Sequence, residues 1–193
     1  MTILEERLDK LEKKIKDPSF RQNRGVSNEV KYYIFDYPSA DELLVRQRVD
    51  YLRQKSESAS SDFLIQVFDL YDIMIEILKD KGRLEQSFEL EKNKGFEKIS
   101  HGISSFLKVN STDGMIVKYI EERIQDNSVL FITGVGKCYP IIRSHTIINN
   151  LHMAIDYVPV VMFYPGKYSG QDLVLFDGEI KDDNYYRAFK IVD

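Results

Sequence analysis

The sequence predicts an α/β fold: a three-layer, mostly parallel sheet of the Rossmann-like or degenerate P-loop-like kind, with a helical insertion after the second strand. Two observations lead to this class. First, short β-branched and aromatic runs alternate with segments whose apolar residues recur every three or four positions, as βαβ units require. Second, four helical segments follow one another between the second and third strand runs. The 193 residues are long enough for one domain with a substantial core.

The first third of the chain predicts two helices and two strands. Its apolar seam from Leu4 to Ile15 indicates an amphipathic helix, which either packs on its own domain or forms a short coiled-coil contact with a partner. The predicted elements are, in order, this helix ending at Asp17-Pro18, a loop over 19–30, a strand over 31–37, a helix opened by a Ser39–Glu42 capping box and ending near Lys55, and a buried strand over 63–70.

The rest of the chain predicts the helical insertion and the remaining strands. The insertion consists of helices ending near Gly82, over 84–93, from Phe96 to Leu107, and from Met115 to Ile124 with Ser111 or Thr112 as cap. After it come a buried strand over 129–133, a turn over 134–137, a helix over 139–153, a strand over 159–164, a Pro165-Gly166 turn, and strands over 173–176 and 188–192. We expect a single α/β domain over 1–193, with an N-terminal helix in 1–18 and the insertion in 71–126.

Composition excludes several classes of protein. The net charge of −4 argues against strong binding to DNA by the chain alone. One cysteine, Cys138, permits neither a disulfide framework nor a cysteine-based zinc site. No apolar run approaches the roughly 18 residues of a membrane helix, and the charged N-terminus is not a signal peptide. The sequence therefore predicts a cytoplasmic protein without membrane contact.

A glycine-containing loop between a predicted strand and helix is the first candidate site. Glycines allow close approach of the backbone, helix N–H groups attract anions, and a lysine adds positive charge. The candidate anion-binding residues are Thr133, Gly134, Gly136, Lys137 and Arg143. The loop is not a Walker A motif, because Phe131 replaces its first glycine and Cys138 its serine or threonine. Tyr139 likewise breaks the dinucleotide motif, which leaves a structural turn or a degenerate phosphate loop.

Other titratable residues give weaker candidates. His145 and His152 share a helical stripe with apolar residues, and His101 is expected on a distant helix, so no metal site and no cofactor is predicted. Cys138 could be activated at a helix N-terminus, but a buried small residue is preferred because no base is adjacent. A metal-dependent nuclease would draw on Asp36, Asp69 or Asp182, which lack a recognisable spacing. No catalytic residue is predicted.

Tyrosine-rich strand ends and one basic helix face are the candidate partner-binding features. Tyrosine and arginine are favoured at interface hot spots, although solvated charge also explains a basic helix face. The candidate partner-binding residues are Tyr164, Tyr168, Tyr185, Tyr186, Arg187, Arg46 and Arg53.

Three stretches carry a family resemblance: FITGVGKCYPIIRSHTIINNL over 131–151, PVVMFYPGKYSGQDLVLF over 159–176, and KDDNYYRAF over 181–189. Through them, and across nearly its whole length, the chain resembles the BrxB family of the BREX bacteriophage-exclusion systems. The resemblance implies an assembly component in phage defence that contacts a PglZ-like phosphatase-fold protein, or the methyltransferase or ATPase subunits. It supplies no active site to transfer. The alternative is a nucleotide- or nucleic-acid-binding protein that uses the loop at 133–137, and the oligomeric state stays open.

Overall fold

The strands form a mainly parallel sheet in the computed structural model, which describes residues 2–22, 31–176, 181–182 and 188–193. They are β1 (Tyr32–Tyr37), β2 (Leu64–Asp69), β3 (Ser128–Thr133), β4 (Val160–Tyr168), β5 (Leu173–Leu175), β6 (Lys181–Asp182) and β7 (Phe189–Lys190). The strand order is β2-β3-β4-β1-β7. β4 runs parallel to β1 and β3, and β7 runs parallel to β1, whereas β5 pairs antiparallel with β4 and β6. The predicted α/β class with a mainly parallel sheet is confirmed; the three-layer and Rossmann-like details stay predictions.

The helices account for most of the remaining described residues. They are α1 (Ile3–Lys16), α2 (Pro18–Gln22), α3 (Glu42–Ser56), α4 (Leu70–Asp80), α5 (Leu84–Lys94), α6 (Phe96–Phe106), α7 (Met115–Glu121), α8 (Val135–Cys138) and α9 (Ser144–Ala154). A single 3₁₀ turn, Ser39–Asp41, precedes α3. Four helices in succession, α4 to α7, follow β2 as the sequence predicts.

The chain divides into two compact units. The first comprises Met1–Phe68, Ile124–Thr133 and Asp156–Asp193, and it contains the sheet with α1 to α3. The second comprises Asp69–Arg123 and Gly134–Ile155, and it contains α4 to α9. The single domain over 1–193 stays a prediction.

The core of the first unit decides between the two interpretations of the N-terminal seam, packing on its own domain or a coiled-coil contact with a partner. The four seam residues of α1 are at most 7% exposed: Leu4, Leu8, Leu11 and Ile15. They pack in one cluster with Phe35 of β1, Val49 of α3 and Phe163 of β4. The seam therefore packs on its own unit, because burying these side chains removes most of their apolar surface from water.

Two predicted helix caps are wrong. Ser39 begins the 3₁₀ turn instead of capping α3, and the Glu42 carboxylate accepts hydrogen bonds from Tyr37 Oη and Arg46 Nε. α7 starts after Gly114, without a side-chain cap from Ser111 or Thr112. Ser111 Oγ instead accepts the N–H of Asp113, so at both places the side chain bonds to a sequence neighbour other than the one that a cap requires.

Two predicted boundaries also differ from the structure. The helix expected over 139–153 begins only at Ser144, because Arg143 is extended, with φ −97° and ψ 136°. The expected Pro165-Gly166 turn lies inside β4, where Pro165 pairs with β1 and Gly166 with β5. A Cβ on Gly166 would collide with the carbonyl oxygen of Val174 on β5, so the absence of a side chain here keeps room for the neighbouring strand.

Three smaller differences concern the ends of the sheet and one loop. The predicted loop over 19–30 begins as helix α2, and residues 23–30 lie outside the described residues. β2 is half-buried and not fully buried as predicted, with Ile65 and Phe68 as its buried side chains, because it lies at an end of the strand order. β6 has no predicted counterpart.

Candidate functional site

The predicted glycine loop connects β3 to a short helix. Thr133 is the last residue of β3, and Gly134 adopts the left-handed conformation, with φ 75° and ψ 11°. Gly136 and Lys137 lie in α8, which is only four residues long. A Cβ on Gly134 would lie 2.7 Å from Cγ of Asp69. The loop therefore requires glycine here both for its backbone and for the space that this carboxylate occupies.

Lys137 is paired with two carboxylates. Its Nζ lies 2.8 Å from Oδ2 of Asp69 and 3.2 Å from Oδ1 of Asp72. Partial burial lowers the pKa of Lys137, but hydrogen bonds and attraction to the two acids outweigh this effect and leave the pKa raised. Asp69 also caps α4, since its Oδ1 accepts the N–H groups of Tyr71 and Asp72 at 3.0 and 3.2 Å. The positive charge predicted to attract an anion is thus neutralised within its own unit.

Cys138 is a buried structural residue. Its side chain is 1% exposed, and its Sγ–H donates a hydrogen bond to the Gly134 carbonyl oxygen at 3.2 Å. Burial raises the pKa of the Cys138 thiol to about 12, so the thiol is protonated at neutral pH. The preferred sequence interpretation, a buried small residue, is confirmed.

Arg143 has different surroundings from Lys137. It precedes α9 and lines a cavity of about 460 Å³, together with His101 of α6 and His145 of α9. We call this space the α6–α9 cavity. The sequence interpretation that places His101 far from the other histidines is therefore wrong for His145. Among the residues that the structure describes, no group of three or more His, Cys, Asp or Glu side chains is placed to hold a metal ion.

The residues predicted to bind a partner have mixed positions. Tyr164 and Tyr168 are buried, 2% and 3% exposed, and Tyr168 Oη donates to the Ala188 carbonyl oxygen at 2.7 Å. Neither ring lies on the surface that the prediction requires, because both belong to the core of the first unit. Arg46 and Arg53 are accessible, but each pairs with acids on α3 or at its end. Tyr185, Tyr186 and Arg187 lie outside the described residues.

Asp36 forms a buried ion-pair cluster instead of an open carboxylate site. It is 6% exposed, and its Oδ1 lies 2.6 Å from Arg7 Nη2. Its Oδ2 accepts the Tyr168 N–H at 3.0 Å and lies 3.3 Å from Lys190 Nζ. Both oxygens are thus engaged, as both oxygens of Asp69 are, which leaves neither carboxylate open for the nuclease hypothesis. The side chain of Asp182 is outside the described residues.

The second unit exposes an apolar surface on two adjacent helices. α5 buries only Ser87, and its Phe88 and Leu90 are 51% and 43% exposed. Leu90 also lines a shallow groove of about 150 Å³ with Ile99 and Phe106 of α6. We call Phe88, Leu90 and this groove the α5–α6 surface. An 11-residue helix that buries one serine gains little stability from its own unit, since short helices depend on packing an apolar face.

Sequence reasoning missed the partners of Asp36 and the lining of the α6–α9 cavity. Arg7 is 29 residues from Asp36, and no local motif links them. The cavity does leave a signal in the sequence. Glu97, His101 and Ser104 recur at helical spacing on α6, opposite its apolar stripe, and all three line the cavity.

In the described ranges, which exclude Met1, 23–30, 177–180 and 183–187, no helix is long and apolar enough to cross a membrane.

Comparison with known proteins gives a consistent result. The model of the family described as "BREX protein BrxB" matches residues 66–191. A "BREX protein BrxB" of Bacillus cereus (strain H3081.97) is 50% identical over 193 residues, which cover both chains completely. A second "BREX protein BrxB", of Escherichia coli O9:H4 (strain HS), is 32% identical over 98% of this chain and 92% of its own. No solved structure matches the chain significantly.

Proposed function

Because the chain belongs to the BrxB family of BREX phage-exclusion proteins, we propose that it serves its system as a non-enzymatic assembly subunit. Three groups with potential chemistry support this proposal by being engaged within the protein. Lys137 is neutralised by Asp69 and Asp72, Asp36 is held by two cations, and the Cys138 thiol is buried and protonated. A subunit of this kind acts through surfaces that bind other proteins, not through turnover.

The α5–α6 surface is the observation that carries the proposal. A phenylalanine side chain presents about 200 Å² in the unfolded chain, so the exposed half of Phe88 offers about 100 Å² for burial. At about 25 cal/mol per Å², covering it would contribute roughly 2.5 kcal/mol to association. Aromatic side chains of this kind are typical anchors of protein interfaces.

We assign the PglZ-like phosphatase-fold component of BREX as the occupant of this surface. Membership of the family places the chain in a multi-component system, and the family resemblance implies contact with that large component. The occupant should present an apolar pocket or helix face to Phe88 and Leu90, because these side chains are exposed on one helix beside an apolar groove.

The test is a pull-down from cells that express the complete operon, with tagged wild-type chain, Phe88→Asp and Met153→Asp. Met153 is the matched control, an apolar residue of the same unit that is 74% exposed on α9. We expect the wild type and Met153→Asp to retain the PglZ-like component, and Phe88→Asp to lose it. Recovery of no BREX component by the wild type would refute the assembly role. Equal recovery by Phe88→Asp would refute the α5–α6 surface as the binding site.

The alternative function, nucleotide or nucleic-acid binding through the loop at 133–137, has less support. A phosphate at this loop would have to approach Asp69 and Asp72 as well as Lys137. The negative charges of these two carboxylates would repel the phosphate. The helix α8 has only four residues, so its dipole would attract an anion weakly. Calorimetric titration with nucleotides, with wild type compared with Lys137→Met, tests it: binding that requires Lys137 would restore this alternative.

A further inference from the structure

The α6–α9 cavity is a second distinctive space in the second unit, and neither the assembly role nor the family assigns it. Its volume of about 460 Å³ lies in the range of small-molecule sites, roughly 300–1,000 Å³. One wall is a face of α6, and the opposite wall is the segment that leads into α9. Both walls belong to the same unit.

Both walls of the cavity carry polar and apolar side chains. Donor groups come from His101, Ser104 and Asn110 on the α6 side, and from Arg143 and His145 on the α9 side. Glu97 is the acid in the lining. Phe96, whose ring is 49% exposed, together with Pro140 and Ile141, adds flat apolar surface.

Arg143, which lines this cavity, differs from most arginines that the structure describes. Six other arginines form ion pairs with carboxylates: Arg7, Arg21, Arg46, Arg48, Arg53 and Arg123. The Arg143 guanidinium has no such ion pair or side-chain hydrogen bond among the residues that the structure describes. An arginine that lines a cavity and pairs with none of the described carboxylates is suited to bind a phosphate or carboxylate from outside, and Glu97, the acid of this lining, forms no ion pair with it. The N-terminus of α9 has no side-chain cap, so its N–H groups, which carry partial positive charge, add to the attraction for an anion.

We propose that the α6–α9 cavity binds a small phosphorylated molecule of about mononucleotide size. Its phosphate contacts Arg143 and the start of α9, and its flat body packs on Phe96 and Ile141. The polar side chains on α6 and Asn110 bind its remaining hydroxyl or amide groups. The proposal is independent of the α5–α6 surface, because Phe88 and Leu90 do not line this cavity.

Calorimetric and thermal-shift titrations of the full chain test the proposal with AMP, adenosine and inorganic phosphate as probes. We expect AMP to bind at millimolar concentration or below, and adenosine to bind much more weakly because it lacks the phosphate. Arg143→Ala should weaken AMP binding by about tenfold or more, since a charge-assisted bidentate contact is lost. Arg143→Lys should recover only part of this loss, because lysine keeps the positive charge but cannot donate two parallel hydrogen bonds as the planar guanidinium does.

Lys98→Ala is the matched control, since Lys98 is an exposed cation on the same helix α6 but does not line the cavity. It should bind AMP as the wild type does. Absence of any response to AMP and phosphate, or equal weakening by Lys98→Ala, would overturn the proposal. A single-stranded oligonucleotide that binds more tightly than AMP through Arg143 would also overturn it, in favour of a nucleic-acid ligand. Arg143 is exposed, so a folded variant is expected, and its circular dichroism spectrum checks this.

Discussion

The buried Asp36 cluster allows a sharp prediction about stability. Asp36→Asn keeps the size of the side chain but removes its negative charge. The variant leaves the Arg7 guanidinium, whose side chain is 14% exposed, and the Lys190 ammonium, 33% exposed, without their carboxylate. The amide nitrogen of the new side chain would also face a donor, either Arg7 Nη2 or the Tyr168 N–H, where the native carboxylate accepts from both.

The expected loss of stability follows from burial. Breaking a buried pair by neutralising one partner costs about 3–5 kcal/mol, because an uncompensated charge stays in the protein. Lys190 is partly solvated and recovers hydration, so we expect about 2–4 kcal/mol for Asp36→Asn. For a chain of this length each kcal/mol shifts Tm by about 2–4 °C, which gives a decrease of roughly 5–15 °C.

Urea and thermal unfolding followed by circular dichroism measure this loss, since the chain has no tryptophan for fluorescence. Asp50→Asn is the control: Asp50 is 57% exposed and pairs with Arg53 on the same helix, so its change should stay within about 0.5 kcal/mol. Adding Arg7→Met to Asp36→Asn should restore part of the stability, because the orphaned guanidinium is removed.

The reasoning is refuted if Asp36→Asn destabilises the protein no more than Asp50→Asn does. Failure of Arg7→Met to lessen the loss would show that the cost lies in something other than an unpaired cation.

Three further predictions concern other parts of the chain. Gly134→Ala should destabilise by about 2–3 kcal/mol in urea unfolding, whereas Gly82→Ala, with φ 63° and open space around it, should lose only about 1 kcal/mol; equal losses would contradict the steric role of Gly134. Partial burial alone would raise the pKa of Glu12, but hydrogen bonds from two lysines outweigh this effect and hold the pKa below its ordinary value of 4.5. A depressed pKa means that Glu12 adds stability above about pH 4.5 and loses it as the pH falls, so Glu12→Gln should be less stable than wild type at pH 7 and equal to it in acid; a difference that persists in acid would contradict this. Cys138 should react with iodoacetamide at pH 8 only in urea, because burial raises its pKa; rapid labelling of the folded protein would contradict the buried placement.

The fold class was predictable from the sequence because its signals are local. Each signal lies within a single element: the apolar seam of α1, the aromatic run of β1 and the buried run of β3. Errors arose where a distant partner decides the conformation. Pro165-Gly166 reads as a turn, yet pairing with β1 and β5 keeps both residues in β4.

The candidate site was predictable only in part, for the same reason. Gly134 was recognised as a residue with a special backbone role, but the two acids that neutralise Lys137 lie 65 or more residues away along the chain. Tyr164 and Tyr168 resemble interface residues by type, and only the packing of the first unit shows that they are buried. Side-chain chemistry suggests what a residue can bind, whereas burial decides whether a partner reaches it.

The Asp36 cluster also bears on the order in which the protein can fold during synthesis. Arg7 of α1 donates hydrogen bonds to Asp36 and to the carbonyl oxygen of Val192, and Lys14 of the same helix donates to that of Ile191. These contacts span nearly the whole chain, and contacts of long sequence separation form late and fold slowly. The first helix therefore reaches its final environment only after residues 190–192 have left the ribosome. Until then its apolar seam has an incomplete set of partners, because Ile191 belongs to the same buried cluster.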